Sequence, residues 1–172
     1  MRHTLPQERL KYCPVCGSPD FKYDHLKAFN CGGCGFSFYI NSAAAVAAII
    51  ENEQGEILLT RRAFEPHKGY LDLPGGFVDP MESIEEALIR EIKEELNLEV
   101  TEMQYLFSVP NQYVFSNYTV YTTDLAFRCK TSDINAMETQ DDVADALFVK
   151  PAEINYDMIG AESIKKILKR YT

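Results

Sequence analysis

Residues 76–98 read GFVDPMESIEEALIREIKEELNL, and the rest of the chain is read outward from them. Ser83 with Glu86 three residues on has the spacing of a capping box, in which hydroxyl and carboxylate each satisfy an orphan backbone donor. A helix is therefore expected to start at Ser83. Asn97 tolerates the left-handed conformation of a helix C-terminus and marks its expected end. Just before the stretch, Pro74 and Gly75 join Gly76 in a tight loop of unusual backbone conformation.

On a helical wheel at about 100° per residue, Ile84, Ala87, Leu88, Ile92 and Leu96 fall in one apolar arc. Glu91 and Glu95 fall inside that same arc, Glu94 and Arg90 lie near its edge, and Glu86 and Lys93 point the other way. A solvated acidic face would set every carboxylate opposite the apolar stripe. Carboxylates turned inward are costly unless cations accompany them. The pattern thus points to metal binding by Glu91 and Glu95, while an ion-paired surface accounts for Glu85, Glu86 and Lys93. Clustered oxygen ligands select hard divalent cations, Mg²⁺ or Mn²⁺, which serve phosphoryl chemistry.

The stretch resembles the signature of the Nudix hydrolases, Gly-x5-Glu-x7-Arg-Glu-U-x-Glu-Glu-x-Gly-U, where U is bulky and aliphatic. Gly76, Glu82, Arg90, Glu91, Ile92, Glu94, Glu95 and Leu98 occupy its positions, and Asn97 stands where the family has Gly. The resemblance implies an α/β fold, the Nudix α/β/α sandwich with a mixed β-sheet. It implies Glu91 and Glu95 as principal metal ligands, a further ligand from the Gly75 carbonyl, and Glu94 as ligand of another ion or as base. Arg90 would orient a neighbouring glutamate, and Glu82 and Gly76 would shape the junction of loop and helix. The implied reaction is metal-dependent pyrophosphohydrolysis, in which water attacks the diphosphate of a nucleoside diphosphate linked to another moiety.

Upstream, Cys13-Pro14-Val15-Cys16 and Cys31-Gly32-Gly33-Cys34 are two Cys-x2-Cys pairs with fourteen residues between the inner cysteines. Together they offer the four thiolates of a closed, structural zinc site. Disulfides are the alternative, disfavoured in a cytosolic setting. His25, between the pairs, reads as a surface residue, and Cys129 as a small buried hydrophobe. The expected organisation is a zinc ribbon at 1–40 and a Nudix domain at 41–172. That pairing resembles the NADH pyrophosphatase group, whose downstream Ser-Gln-Pro-Trp motif is replaced here by Ser108-Val109-Pro110-Asn111-Gln112-Tyr113, in a chain with no Trp. ADP-ribose, NAD(H) or a related nucleotide is the implied substrate. Nucleoside triphosphate hydrolysis and a non-enzymatic Nudix-fold nucleotide sensor are the alternatives.

With 172 residues, 46% of them hydrophobic, the chain suits one ordinary domain with a small appendage. The longest uncharged apolar run, 43–50, is too short to span a bilayer, and residues 1–10 lack the apolar core of a signal peptide. A cytoplasmic protein without membrane partners is expected. Residues 1–42 hold five Lys/Arg against three Asp/Glu, net +2, and the remainder twelve against twenty-three, net −11. So acidic a body disfavours nucleic-acid binding but admits a small nucleotide when cations sit between. A homodimer is compatible with the ribbon.

Strands are expected at Ala43–Ile50 and Ile57–Thr60, joined by a turn at 52–55. Arg61 and Arg62 follow the second strand and are candidates to hold substrate phosphates, with plain solvent exposure as the alternative. Beyond the signature helix come a strand at Glu99–Val109 and a hairpin of Tyr113–Phe115 with Tyr118–Cys129 about Ser116-Asn117. Tyr105, Phe107, Tyr113, Phe115, Tyr118 and Tyr121 are expected to pack. In the acidic connection Thr131–Asp145, Glu138 is the candidate extra ligand or base on position alone, against a solvated loop. A strand at Ala146–Val149, a short helix from Pro151 through Ile154 and an amphipathic helix at Ala161–Tyr171 complete the chain.

Overall fold

The computed structural model describes residues 4–172. In chain order they form α1 (Pro6–Arg9), β1 (Phe21–Tyr23), β2 (Ala28–Cys31), β3 (Ser37–Tyr39), β4 (Ala43–Ile50), β5 (Ile57–Arg62), β6 (Leu71–Asp72), α2 (Ile84–Leu96), β7 (Val100–Phe115), β8 (Tyr118–Thr131), β9 (Val143–Val149) and α3 (Glu162–Tyr171). Three three-stranded sheets run in the orders β1-β2-β3, β4-β8-β7 and β6-β5-β9. The chain divides into two compact units, Met1–Ala43 with Gln112–Thr122, and Ala44–Asn111 with Thr123–Thr172.

The larger unit is the expected α/β/α sandwich, and the period-2 alternation of its strands builds both layers. In β4, Ala47 and Ile49 belong to one buried cluster, while Val46, Ala48 and Ile50 belong to the other. Strand β5 divides the same way, with Ile57 and Leu59 on one side and Leu58 on the other, and β8 sends Ala126 opposite to Phe127 and Cys129. Helix α3 covers the first face with Ile164, Ile167 and Leu168; α2 covers the second with Ala87, Leu88, Ile92 and Leu96. Strands buried on both faces read as continuous apolar runs, as Ala43–Ile50 does. At about 1.5–3 kcal/mol for each large aliphatic side chain, Leu88, Ile92 and Leu96 together contribute roughly 5–9 kcal/mol. That is enough to offset the desolvation of one carboxylate on the same helix face, which costs several kcal/mol.

Helix α2 starts and stops where the sequence indicates. Ser83 Oγ accepts from Glu86 N, Glu86 Oε2 accepts from Ser83 N, and Asn97 sits at φ 54°, ψ 26°. The hairpin turn at Ser116-Asn117 has φ of 50° and 60°, the left-handed pair of a type I′ turn. Strand β7 differs from expectation. It is continuous through Pro110, where two segments were expected. It is the outer strand of its sheet, and an edge strand tolerates the missing N–H of proline. Strand β9 starts at Val143 rather than Ala146, because pairing with β5 extends to Arg62↔Val143 across a register shift between Arg61 and Arg62. Packing does not absorb all the aromatics, since Tyr105 and Phe115 are more than half exposed.

In the smaller unit, β2 pairs with β1 and β3 around a core of Cys13, Phe21, Phe29 and Cys31. Thr4 bonds the hairpin tip within this unit: Thr119 N donates to Thr4 O at 2.7 Å, and the two hydroxyls lie 2.8 Å apart.

Candidate active site

The loop Pro74–Val78 lies along β4, with Ala48 N donating to Pro74 O, Val46 N to Gly76 O and Val78 N to Ala44 O. Gly75 adopts φ +133°, and a Cβ there would collide with the Val46 carbonyl. A Cβ at Gly76 would stand 2.5 Å from Glu91 Oε1. Two residues without side chains therefore let the loop pass between β4 and α2. That passage puts Gly75 N within 2.9 Å of Glu95 Oε2, to which it donates.

The wheel placement matches the observed burial. Glu95 is 5% exposed, Glu91 is half-buried, and Glu86 and Lys93 are exposed. Burial pushes the Glu95 carboxyl well above the usual carboxylate range; the Gly75 amide opposes the shift, and Asp142 and Glu91 add to it. Glu91 is also raised, chiefly by burial, against the pull of Arg90. Arg90 grips Glu82 with two parallel bonds, Nε to Oε1 at 2.8 Å and Nη2 to Oε2 at 2.9 Å. Its Nη1 reaches Glu91 at 2.9 Å and the exposed Glu94 at 3.0 Å, and Nη2 also donates to Phe77 O. The Arg90 bonds, with the Asp79 amide behind them, hold Glu82 at about 2.

A second group stands around Glu95. A small pocket there is lined by Thr60, Arg62, Asp72, Gly75, Glu95 and Asp142, among others. Burial raises Asp72 to about 6 although Arg62 pulls it down. Asp142 comes from the acidic connection, lines the same pocket as Glu95 and raises its carboxyl further. Glu138, the acid singled out from position, is exposed and accepts from Asn97 Nδ2 at 3.4 Å and Gln140 Nε2 at 3.5 Å. Asp142 is the acid of that connection that lines the pocket with Glu95. The sequence shows five acids in that connection, and which of them lies beside Glu95 depends on the β5–β9 register. Arg61 Nη1 donates to Gly69 O at 2.9 Å, and Arg62 to Pro66 O and Asp72, so both guanidiniums have partners within the protein.

Glu91, Glu95 and Asp142 supply hard oxygen donors, and burial disfavours the ionised forms of the two glutamates. That surplus of negative charge fits a hard divalent cation. The four cysteines make a different set. Among the described residues they are the group of three or more ligand atoms lying within 4.8 Å of one another. Cys13 Sγ and Cys34 Sγ are 3.8 Å apart, and Cys16 Sγ and Cys31 Sγ 3.6 Å. Zinc–sulfur bonds of about 2.3 Å in a tetrahedron give edges of about 3.8 Å, so the set fits one structural zinc. Cys129 is buried in the second cluster, and burial pushes its thiol up to about 12, as an inert core residue.

The NUDIX domain family model matches residues 41–171. The NAD-capped RNA hydrolase NudC of Deinococcus radiodurans is 32% identical over 123 residues, 70% of this chain and 44% of that protein. The ADP-ribose pyrophosphatase of Methanocaldococcus jannaschii is 43% identical over 79 residues, 45% of this chain and 46% of that protein. The chain thus spans about half the length of the curated relatives it matches. A crystal structure of a NUDIX hydrolase from Nitrosomonas europaea has the same fold, with a TM-score of 0.66 at 23% identity over 94% of this chain and 90% of that one. No helix among the described residues is long and apolar enough to cross a membrane.

Proposed function

Because this chain belongs to the NUDIX domain family, we propose that it is a Mg²⁺- or Mn²⁺-dependent pyrophosphohydrolase acting on a nucleoside diphosphate linked to another moiety, ADP-ribose first. One observation carries the reading: a buried glutamate, Glu95, pinned by the Gly75 amide with Glu91 and Asp142 beside it. Such a cluster is expensive unless cations complete it. The name of the Methanocaldococcus relative favours ADP-ribose. The missing tryptophan and the Ser108–Tyr113 stretch weigh against NAD(H).

Bound to these carboxylates, a hard divalent cation would neutralise phosphate oxygens and lower the pKa of a bound water. Glu91 and Glu95 are the principal ligands, joined by the Gly75 carbonyl and, from the acidic connection, by Asp142. Arg90 fixes Glu91 and Glu94 in place with Glu82 as its anchor. Glu94, the most exposed of the helix acids in this network, either ligates a further ion or takes the proton from the attacking water. Water adds at one phosphorus, the bridging P–O bond breaks, and two phosphate-terminated products leave. The four cysteines hold one zinc, which stabilises the ribbon.

The test is a substrate panel with Mg²⁺ or Mn²⁺: ADP-ribose, NADH, diadenosine polyphosphates and deoxynucleoside triphosphates. Turnover of at least one is expected, ADP-ribose foremost, and Glu95→Gln should lower it by roughly 100-fold or more while the variant stays folded. A Glu95→Gln enzyme as active as the parent would sink the assignment of the metal site.

A further inference from the structure

We infer that Arg62 is a positioning residue of the metal pocket, tying Asp72 and Asp142 to the two sides of Glu95 rather than binding substrate phosphate. This inference rests on the metal-dependent reading of the site. Arg62 ends β5, and its side chain is 25% exposed. Nε donates to Pro66 O at 2.9 Å, Nη1 pairs with Asp72 Oδ2 at 3.3 Å, and Nη2 lies 4.0 Å from Asp142 Oδ2. A rigid planar fork can serve three directions at once; a lysine ammonium of similar charge cannot.

Each partner leads directly to Glu95. Asp72 accepts from Leu73 N and opens the short run to Gly75, whose amide holds the Glu95 carboxylate. On the other side, Asp142 O accepts from Ala63 N at 2.7 Å, and Gln140 N donates to Glu95 O at 2.9 Å. The register shift between Arg61 and Arg62 is a local irregularity of the kind that re-aims a side chain beside a site. Three carboxylates, those of Asp72, Glu95 and Asp142, line the pocket with a single arginine among them. Without that fork the aspartates repel Glu95 and each other, and the Asp142 carboxylate turns away from the pocket while its backbone stays paired. A merely structural ion pair would support the fold without affecting the metal.

The experiment reads Mn²⁺ alone. Electron paramagnetic resonance titration of the full chain gives the Mn²⁺ Kd of the parent, Arg62→Lys, Asp142→Asn and the double variant, with thermal melts of each. Arg62→Lys is expected to weaken Mn²⁺ binding about tenfold or more, the range for groups that orient metal ligands. In the Asp142→Asn background the same change should cost less than about threefold, because the partner it acts through is already lost. Should Arg62→Lys fail to fold, Asp72→Asn tests the other end of the tie and should weaken Mn²⁺ by a similar factor. Parent-like Mn²⁺ affinity in Arg62→Lys, or in Asp72→Asn where that is the variant measured, overturns the inference. So do equal factors in both backgrounds. A parent chain that binds no Mn²⁺ overturns this inference together with the metal-dependent reading beneath it, so the two failures are told apart.

Discussion

Both oxygens of Glu82 accept from Arg90, and the Asp79 amide adds a further bond, so the ionised form is strongly preferred in the folded chain. A carboxyl whose folded pKa is depressed, here to about 2, contributes stability that is present above its unfolded pKa of about 4.5 and is lost as pH falls between the two. Glu82→Gln should therefore melt below the parent at pH 7, and the gap should close as pH falls from about 4.5 toward 2. Thermal melts of both proteins across that window decide the matter; a gap independent of pH would remove Glu82 from the ion-pair account. At this scale the inward turn of Glu91 and Glu95 was legible, because helical periodicity alone puts them on the apolar arc. The position of Asp142 in the Glu95 pocket was not, because it depends on a pairing between strands far apart in sequence.

At the level of elements, α2 and its two ends do most to place the site. Its N-terminus is held by reciprocal Ser83–Glu86 bonds, and its last carbonyls are met by the acidic connection, with Gln140 N on Glu95 O and Glu138 N on Leu96 O. Ser83→Ala should cost about 1 kcal/mol, read as a lower urea midpoint at unchanged slope. An unchanged midpoint would mean that the cap carries no weight in the folded protein. The limits of α2 could be read from Ser83, Glu86 and Asn97 because capping chemistry is local. The span of β7 could not, since Pro110-Asn111-Gln112 has the composition of a break, and only a place at the sheet edge makes it continuous. Tyr105 and Phe115 likewise have strand-forming side chains, but nothing local tells which face of an edge strand is covered.

Across the whole molecule, two units of very different size share one chain. The smaller has a buried core of Cys13, Phe21, Phe29 and Cys31, too little apolar surface to hold a fold without a staple. Metal analysis should find about one zinc per chain, and Cys13→Ser with Cys16→Ser should abolish it and speed amide exchange through residues 4–43. Undiminished zinc in that variant would show that the cysteines are not its ligands. The bond between Thr4 and Thr119 carries a practical lesson for anyone trimming this protein. A cut after residue 40 looks natural in the sequence, yet residues 112–122 fold with the segment it removes. The fragment would keep a hairpin tip whose buried Thr119, 3% exposed in the full chain, has lost both of its bonds to Thr4. A shortened chain of that kind would begin life with an open wound in its longest hairpin, and poor yield of it would say nothing against the chemistry proposed at Glu95.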